Sequence, residues 1–210
     1  RVIMVKLSDR LHNMRTLDAL DAERRRRIAR ETLEIYAPIA NRLGMNNMRI
    51  EFEELGFKAF YPLRSSMIEK AVRRARGNRK EVVTKIRDSI AACLKRDCIS
   101  AEVFGRQKHL YSIYDKMRSK RRSFNEIMDV YGFRIVVKDV DTCYRTLGSI
   151  HNLYKPVAGR FKDYIAIPKA NGYQSLHTTL FGMHGLPIEI QIRTQEMELV
   201  ANHGIAGHWL

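Results

Sequence analysis

The stretch Ile188-Glu189-Ile190-Gln191-Ile192-Arg193 sets three isoleucines against three polar residues in strict alternation. A period of two puts the isoleucines on one face of a β-strand and Glu189, Gln191 and Arg193 on the other. The polar face either meets water, the commoner outcome for an antiparallel strand, or lines a site. Working back along the chain, Ser175–Phe181 is a second strand, joined to Pro187–Arg193 by a turn at Met183-His184-Gly185. The β-branched run from Val130 to Val137 reads as a central strand. Ile99, Ala101 and Val103 alternate with polar residues, which predicts a further strand broken at Gly105.

The rest is helical in pattern. Val2–Leu20 and Glu23–Leu43 carry apolar residues at helical spacing, with a kink expected at Pro38 and a stop at Gly44. A short helix near Met48–Leu55 should end at Gly56, and Ser65–Arg76, Glu81–Arg96, Arg106–Arg118 and Asp141–Tyr154 follow. Ser123-Phe124-Asn125-Glu126 is a capping box that opens one more short helix. The expected class is α+β: a helical N-terminal segment, then a domain built around a mixed β-sheet flanked by helices.

The 210 residues carry a formal charge of +15, which suits RNA, an acidic surface or phosphorylated small molecules without choosing among them. No apolar run approaches the roughly 18 residues of a membrane span, and no signal-peptide pattern opens the chain. Cys93, Cys98 and Cys143 lack metal-ligand spacing and read as thiols of a cytoplasmic protein. The first residues read as the interior of an element, so a piece of a longer protein is expected.

Placement of the charges narrows the choice. Lys162 and Lys169 flank a loop shaped by Pro168 and Gly172 and followed by Tyr173, a pattern suited to a ligand with phosphates at one end and a flat ring at the other. Asp129, at the entrance to the central strand, and Glu189 are two carboxylates from β-rich segments of a basic domain, a candidate Mg²⁺ pair. Arg106 and Lys108 lie near a strand-to-helix junction, where amides can help hold phosphate, and Arg106 and Arg134 can stack on a base or pair with phosphate. Neither a P-loop nor a Gly-x-Gly-x-x-Gly pattern is present, and His203 and His208, five apart, do not match a helical zinc pair. Asp9, His12, Asn13 and Thr16 share a helical face that is either solvated or functional.

Several longer motifs, taken in order, resemble the synthetase domain of the RelA/SpoT-homologue alarmone enzymes. They are Gly105–Met117, Asp129–Val137, Lys169–Thr178 and Glu189–Thr194. The segment Val5-Lys6-Leu7-Ser8-Asp9-Arg10-Leu11-His12-Asn13-Met14-Arg15-Thr16 is similar to the last metal-binding helix of that family's HD-type hydrolase domain. Together these motifs span essentially the whole chain.

The resemblance implies a fold related to the nucleotidyltransferases, with residues 1–60 as the end of the hydrolase domain plus linker helices and 61–210 as the synthetase. It implies Mg²⁺-dependent transfer of pyrophosphate from ATP to the 3′-hydroxyl of GDP or GTP, giving (p)ppGpp and AMP in the stringent response. Asp129 and Glu189 would hold Mg²⁺, and Glu189 would also take the proton of the 3′-hydroxyl. Arg106 and Arg134 would sandwich adenine. Lys108, Lys116, Lys162 and Lys169 would hold phosphates, while Tyr173 would stack on guanine near Asn171 and His177.

Two features bear on hydrolysis. Arg160-Phe161-Lys162-Asp163 resembles the basic loop of the bifunctional and SpoT-like branch, so the parent protein is expected to remove the 3′-pyrophosphate as well, or mainly. Asp9 would be one Mn²⁺ ligand of that site, with Asn13 and Thr16 near its substrate. The partner ligands would lie upstream, so this piece alone is expected not to hydrolyse, and regulatory partners would act through regions outside it. A reading from another class, a basic RNA-binding module, has no use for acidic residues in a basic cleft.

Overall fold

The computed structural model describes residues 2–77, 80–106, 108–128, 131–182 and 185–204. The helical part opens with α1 (Val2–Arg15), whose Leu7, Leu11 and Met14 recur at one-turn spacing and are buried. Asp21 accepts from the Arg24 amide and so caps α2 (Ala22–Glu31). A π-helical turn, Thr32–Tyr36, leads into α3 (Ala37–Arg42), with the Ala37 amide donating to the Thr32 carbonyl. The kink expected at Pro38 is thus a widened turn just ahead of it, which makes room for a ring that cannot continue the ordinary ladder. Gly44 ends the helix at φ +72°, as expected.

Gly56 does not end a helix. Helix α4 (Asn46–Phe60) runs straight through it, because the missing side chain lets α4 press against the π turn. A Cβ there would lie 2.8 Å from Leu33 Cγ. Helix α4 then buries Phe52 against Leu7, Leu11, Ala37 and Ala40 on one side. On another side Phe57 meets α5 (Pro62–Gly77) and stacks on Tyr114 at 4.9 Å.

After α6 (Lys80–Arg96) the sheet begins with β1 (Glu102–Arg106). This strand starts later than the alternation of Ile99, Ala101 and Val103 suggested. Gly105 continues it, paired with Phe133. The following helix, α7 (Leu110–Ser119), accordingly starts at Leu110 and not at Arg106. The remaining elements are α8 (Phe124–Met128), β2 (Tyr131–Val137), α9 (Val140–Leu153), β3 (Lys155–Pro156), β4 (Lys162–Asp163), β5 (Leu176–Phe181), β6 (Pro187–Thr194) and α10 (Gln195–His203). The capping box is present: the Ser123 amide donates to Glu126 Oε2 at 2.7 Å.

The sheet order is β1-β2-β6-β5-β3, with β4 also on β5. Strands β2 and β6 run parallel and every other pair antiparallel, so the sheet is mixed, as the α+β reading expects. Ile188, Ile190 and Ile192 join Phe133, Ile135, Leu176 and Leu180 on one face, packed on Ile86, Ile90 and Leu94 of α6 and Cys143 and Ile150 of α9. The opposite face is left for polar residues.

Candidate active site

Register builds the site. Glu189 lies opposite Gly132 on β2 and Thr179 on β5, and Gly132 in turn lies opposite Arg106 on β1. The next row reads Phe104, Arg134, Gln191, His177 and Lys162 across five strands. Directly opposed residues share a face, so Arg106, Arg134, Lys162, His177 and Glu189, far apart in sequence, emerge on the polar side of one sheet. Gly132 keeps the space between Arg106 and Glu189 open: a Cβ there would lie 3.3 Å from Arg106 Cβ.

This face floors a cavity of about 990 Å³. Lys116 enters it from α7, Arg49 from α4, and Arg160, Lys162 and Lys169 from the loop ahead of β5. Among the described lining residues Glu189 is the one carboxylate, against Arg49, Arg106, Lys116, Lys120, Arg134, Arg160, Lys162, Lys169 and Arg193. Such a balance suits a ligand carrying several phosphates. The Glu189 carboxylate makes no hydrogen bond or ion pair with any described residue. Burial lowers the affinity of Lys116 for its proton, Arg106, Lys120 and Arg122 add to that, and Glu189 opposes it, which puts Glu189 within Coulombic reach of the ammonium.

The loop is held by Asp163, whose Oδ1 accepts from the amides of Ile165 and Ala166 at 2.9 Å and whose Oδ2 accepts from the Tyr144 hydroxyl at 2.8 Å. Gly172, at φ +77°, turns the chain so that its amide donates to the Lys169 carbonyl at 2.8 Å. The Lys169 ammonium then lies 4.7 Å from the Tyr164 ring centroid and 4.9 Å from that of Tyr173. Tyr173 Oη is 2.8 Å from His177 Nε2. Burial, followed by the charges of Lys169, Arg106, Arg193 and Lys162, depresses His177 to about 3, so its imidazole is neutral at pH 7.

Nine of the sequence candidates therefore meet at one cavity: Arg106, Lys116, Arg134, Lys162, Lys169, Asn171, Tyr173, His177 and Glu189. Lys108 is directed to the end of α8, where its ammonium donates to the Ile127 carbonyl. Asp129 lies outside the described residues. Asp9, Asn13 and Thr16 sit together on and just after α1, away from this cavity. Asn13 Nδ2 is 3.4 Å from Asp9 Oδ2, and the Thr16 hydroxyl is 3.3 Å from the carbonyls of His12 and Asn13. Sequence reasoning passed over Arg49, His109 and Lys120, which also line the cavity. His109 and Lys120 flank the stretch around α7 that already carried candidates, whereas nothing in the sequence aims Arg49 across from the helical part.

A family model described as the region found in RelA / SpoT proteins matches residues 105–210, half of the chain, and an HD-domain model matches residues 1–46. The chain belongs to the RelA/SpoT family. It is 59% identical over 209 residues to the bifunctional (p)ppGpp synthase/hydrolase SpoT of Escherichia coli (strain K12), a match covering 100% of this chain and 30% of that protein. It is 49% identical over 209 residues to a GTP pyrophosphokinase of Streptomyces coelicolor, covering 100% of this chain and 25% of that one. The chain thus spans under a third of the length of these curated relatives. A GTP pyrophosphokinase family protein from Streptococcus pneumoniae shares the fold, with a TM-score of 0.51 at 23% identity over 62% of this chain and 73% of that one. The small alarmone synthetase 1 of Bacillus subtilis, solved bound to its product pppGpp, has a TM-score of 0.50 at 25% identity over 63% of this chain and 78% of that one.

Proposed function

We propose that this cavity transfers pyrophosphate from ATP to the 3′-hydroxyl of GDP or GTP. The observation that carries the reading is Glu189, a carboxylate with no described side-chain partner on the floor of a cavity whose other charged residues, among those described, are lysines and arginines. In the reaction the 3′-oxygen attacks the β-phosphorus of ATP, the bond from that phosphorus to the α–β bridging oxygen breaks, AMP leaves, and Glu189 takes the hydroxyl proton. Phosphoryl-type transfer asks a protein mainly for alignment and charge. Lys116, Lys162 and Lys169 supply charge around the polyphosphate. Arg106 and Arg134 provide planar groups for the adenine, and Tyr173, kept upright by His177 and Lys169, offers a face to the guanine, with Asn171 beside it. Lys108 would reach a phosphate only after leaving the Ile127 carbonyl.

The donor set fits a divalent cation. A carboxylate alone among cations repels phosphate unless a metal lies between them, and Mg²⁺ takes one or two protein carboxylates. Glu189 and Asp129 would hold it, and when bound it would offset the negative charge that builds on the transferring group.

On this reading residues 61–210 make up the synthetase, and residues 1–60 the end of an HD domain with its linker helices. A longer protein containing this chain would also remove the 3′-pyrophosphate of (p)ppGpp, with Asp9 as one Mn²⁺ ligand and Asn13 and Thr16 near the substrate. The hydrolase names of several relatives support that second activity. No helix among the described residues is long and apolar enough to cross a membrane, and nucleotide substrates fit a cytoplasmic setting.

The deciding experiment incubates the chain with ATP, GDP and Mg²⁺ and follows AMP and ppGpp. Equal amounts of both products that vanish on chelation are expected. Salt-sensitive RNA binding without either product would instead favour the RNA-binding module.

A further inference from the structure

Helix α10 carries one carboxylate into the gap between two arginines of the sheet. Arg134 on β2 donates from Nη1 to Glu198 Oε1 at 2.5 Å, and Arg193 on β6 brings its Nε to 2.7 Å from Glu198 Oε2. One turn along α10, Asn202 Nδ2 donates to Glu198 Oε1 at 3.1 Å. The group is well shielded, with the side chains of Arg193, Glu198 and Arg134 3%, 21% and 28% exposed. Two guanidiniums held together away from water repel unless a carboxylate lies between them. Yet Arg134 Nε, Arg193 Nε and Glu198 Oε2 make no hydrogen bond among the described residues, the 2.7 Å contact being close but poorly aligned. Charge, more than a full set of hydrogen bonds, therefore sets where the two arginines stand.

The two arginines belong to different walls of the cavity. Arg134 pairs across strands with Phe104 on the β1 side, beside Arg106. Arg193 lies 5.7 Å from the Tyr173 ring centroid, on the side of the loop. Both line the cavity, and Glu198 does not. We propose that Glu198 is a positioning residue that ties the adenine wall to the guanine wall, so that each nucleotide binds more tightly when the other is present. The inference rests on the synthetase reading above, and Glu198 acts only through Arg134 and Arg193. A ligand that draws Arg134 toward its base or phosphates shifts the shared carboxylate, and through it the cation under Tyr173. A staple with no function would serve equally well away from the cavity, and an apolar pair of similar volume would replace it at little cost.

The test is calorimetric titration of the whole chain with a non-hydrolysable ATP analogue and with GDP, each alone and in the presence of the other. Wild type should bind each nucleotide several-fold more tightly when the other is already bound. Glu198→Gln keeps the shape and removes the charge; it should weaken both nucleotides by about tenfold and abolish their mutual enhancement. Asn202→Ala leaves the charge but loosens its anchor, so a smaller loss in the same direction is expected, and it decides the matter should Glu198→Gln fail to fold. In synthesis assays both KM values should rise more than kcat falls, and Glu198→Asp should restore part of the loss. A folded Gln variant that binds both nucleotides with wild-type affinity and coupling would overturn the proposal alone. Wild-type protein that binds neither nucleotide would overturn the synthetase reading and the proposal with it.

Discussion

The side-chain amide of Asn171 donates to the main-chain carbonyl of Asn41 at 3.2 Å, joining the loop ahead of β5 to the end of α3 across 130 positions of sequence. Its oxygen accepts from the Tyr173 amide at 3.3 Å, and Gly44 is close enough that a Cβ there would come 3.0 Å from the Asn171 carbonyl. Asn171 thus has both ends of its amide committed to the protein, and it orients the tyrosine proposed above to stack on guanine.

Asn171→Ala should therefore act on the guanine nucleotide through Tyr173. Losing a hydrogen bond of this kind costs about 1 kcal/mol, or about fivefold in an equilibrium. The KM for GDP should rise by about that factor while the KM for ATP changes little. Initial rates over a range of GDP concentrations, with thermal melting as the control for the fold, check this. A lowered melting temperature with an unchanged KM would make the amide a structural link only.

Glu189→Gln should remove synthesis and leave the fold intact. Its backbone pairs with Gly132 and Thr179 whatever the side chain, its carboxylate has no described hydrogen-bond or ion-pair partner to lose, and the amide matches the carboxylate in shape. On the proposed reading the metal would lose one of its two carboxylates and the 3′-hydroxyl proton its acceptor, which should slow the reaction by about a hundredfold or more. Production of AMP from ATP plus GDP, compared with the circular dichroism of the same sample, measures both halves. Near-normal turnover would remove Glu189 from the chemistry.

How much of this was legible in advance depended on whether the signal was local. The alternation in Ile188–Arg193 announces a two-faced strand by itself, and the loop with Lys162, Lys169 and Tyr173 stands out by its composition before the structure sets all three at the cavity. The sheet's long-range register, which sets Arg106 and Glu189 on either side of Gly132, leaves no local trace. Arg49 and Glu198 were passed over for the same reason: each is an ordinary charged residue on a helix until packing turns it toward the cavity or its arginines. Gly56 and Gly105 were misread as breakers. Glycine stops an element only when nothing nearby needs its missing side chain, and close packing is a property of the partner, not of the sequence window.

Gly56→Ala tests that last point. In an isolated helix the substitution would favour helix by about 1 kcal/mol. Here the new methyl would lie 2.8 and 2.9 Å from Leu33 Cγ and Cδ2, and overpacking of this kind costs about 1–3 kcal/mol. The crowding should win, leaving a net loss of about 1 kcal/mol. Urea unfolding curves give the answer, and Leu33→Ala in the same background should relieve the crowding. A stabilised Gly56→Ala chain would show that the π turn gives way freely.

The pH dependence of stability should carry the mark of His177. Its folded value of about 3 lies below the ordinary 6.5, so between those limits the unfolded chain binds a proton that the folded chain excludes. Stability is then complete above about 6.5 and falls as the pH drops, at up to about 1.4 kcal/mol per pH unit from this one group. Burial moves His109 and His151 in the same direction, which adds to the slope. Asp21, Asp97, Asp139 and Asp163, held below their ordinary 3.8, act in a lower window, so denaturant midpoints taken between pH 6.5 and 4.5 separate the histidines from them. His177→Gln keeps a polar partner for Tyr173 and has no proton to gain, and its slope over that interval should be flatter by about 1 kcal/mol per unit. Parallel slopes for the two proteins would mean that the imidazole accepts its proton as readily inside the cavity as in the unfolded chain, and that the ring of cations around it is more thoroughly screened than the geometry implies.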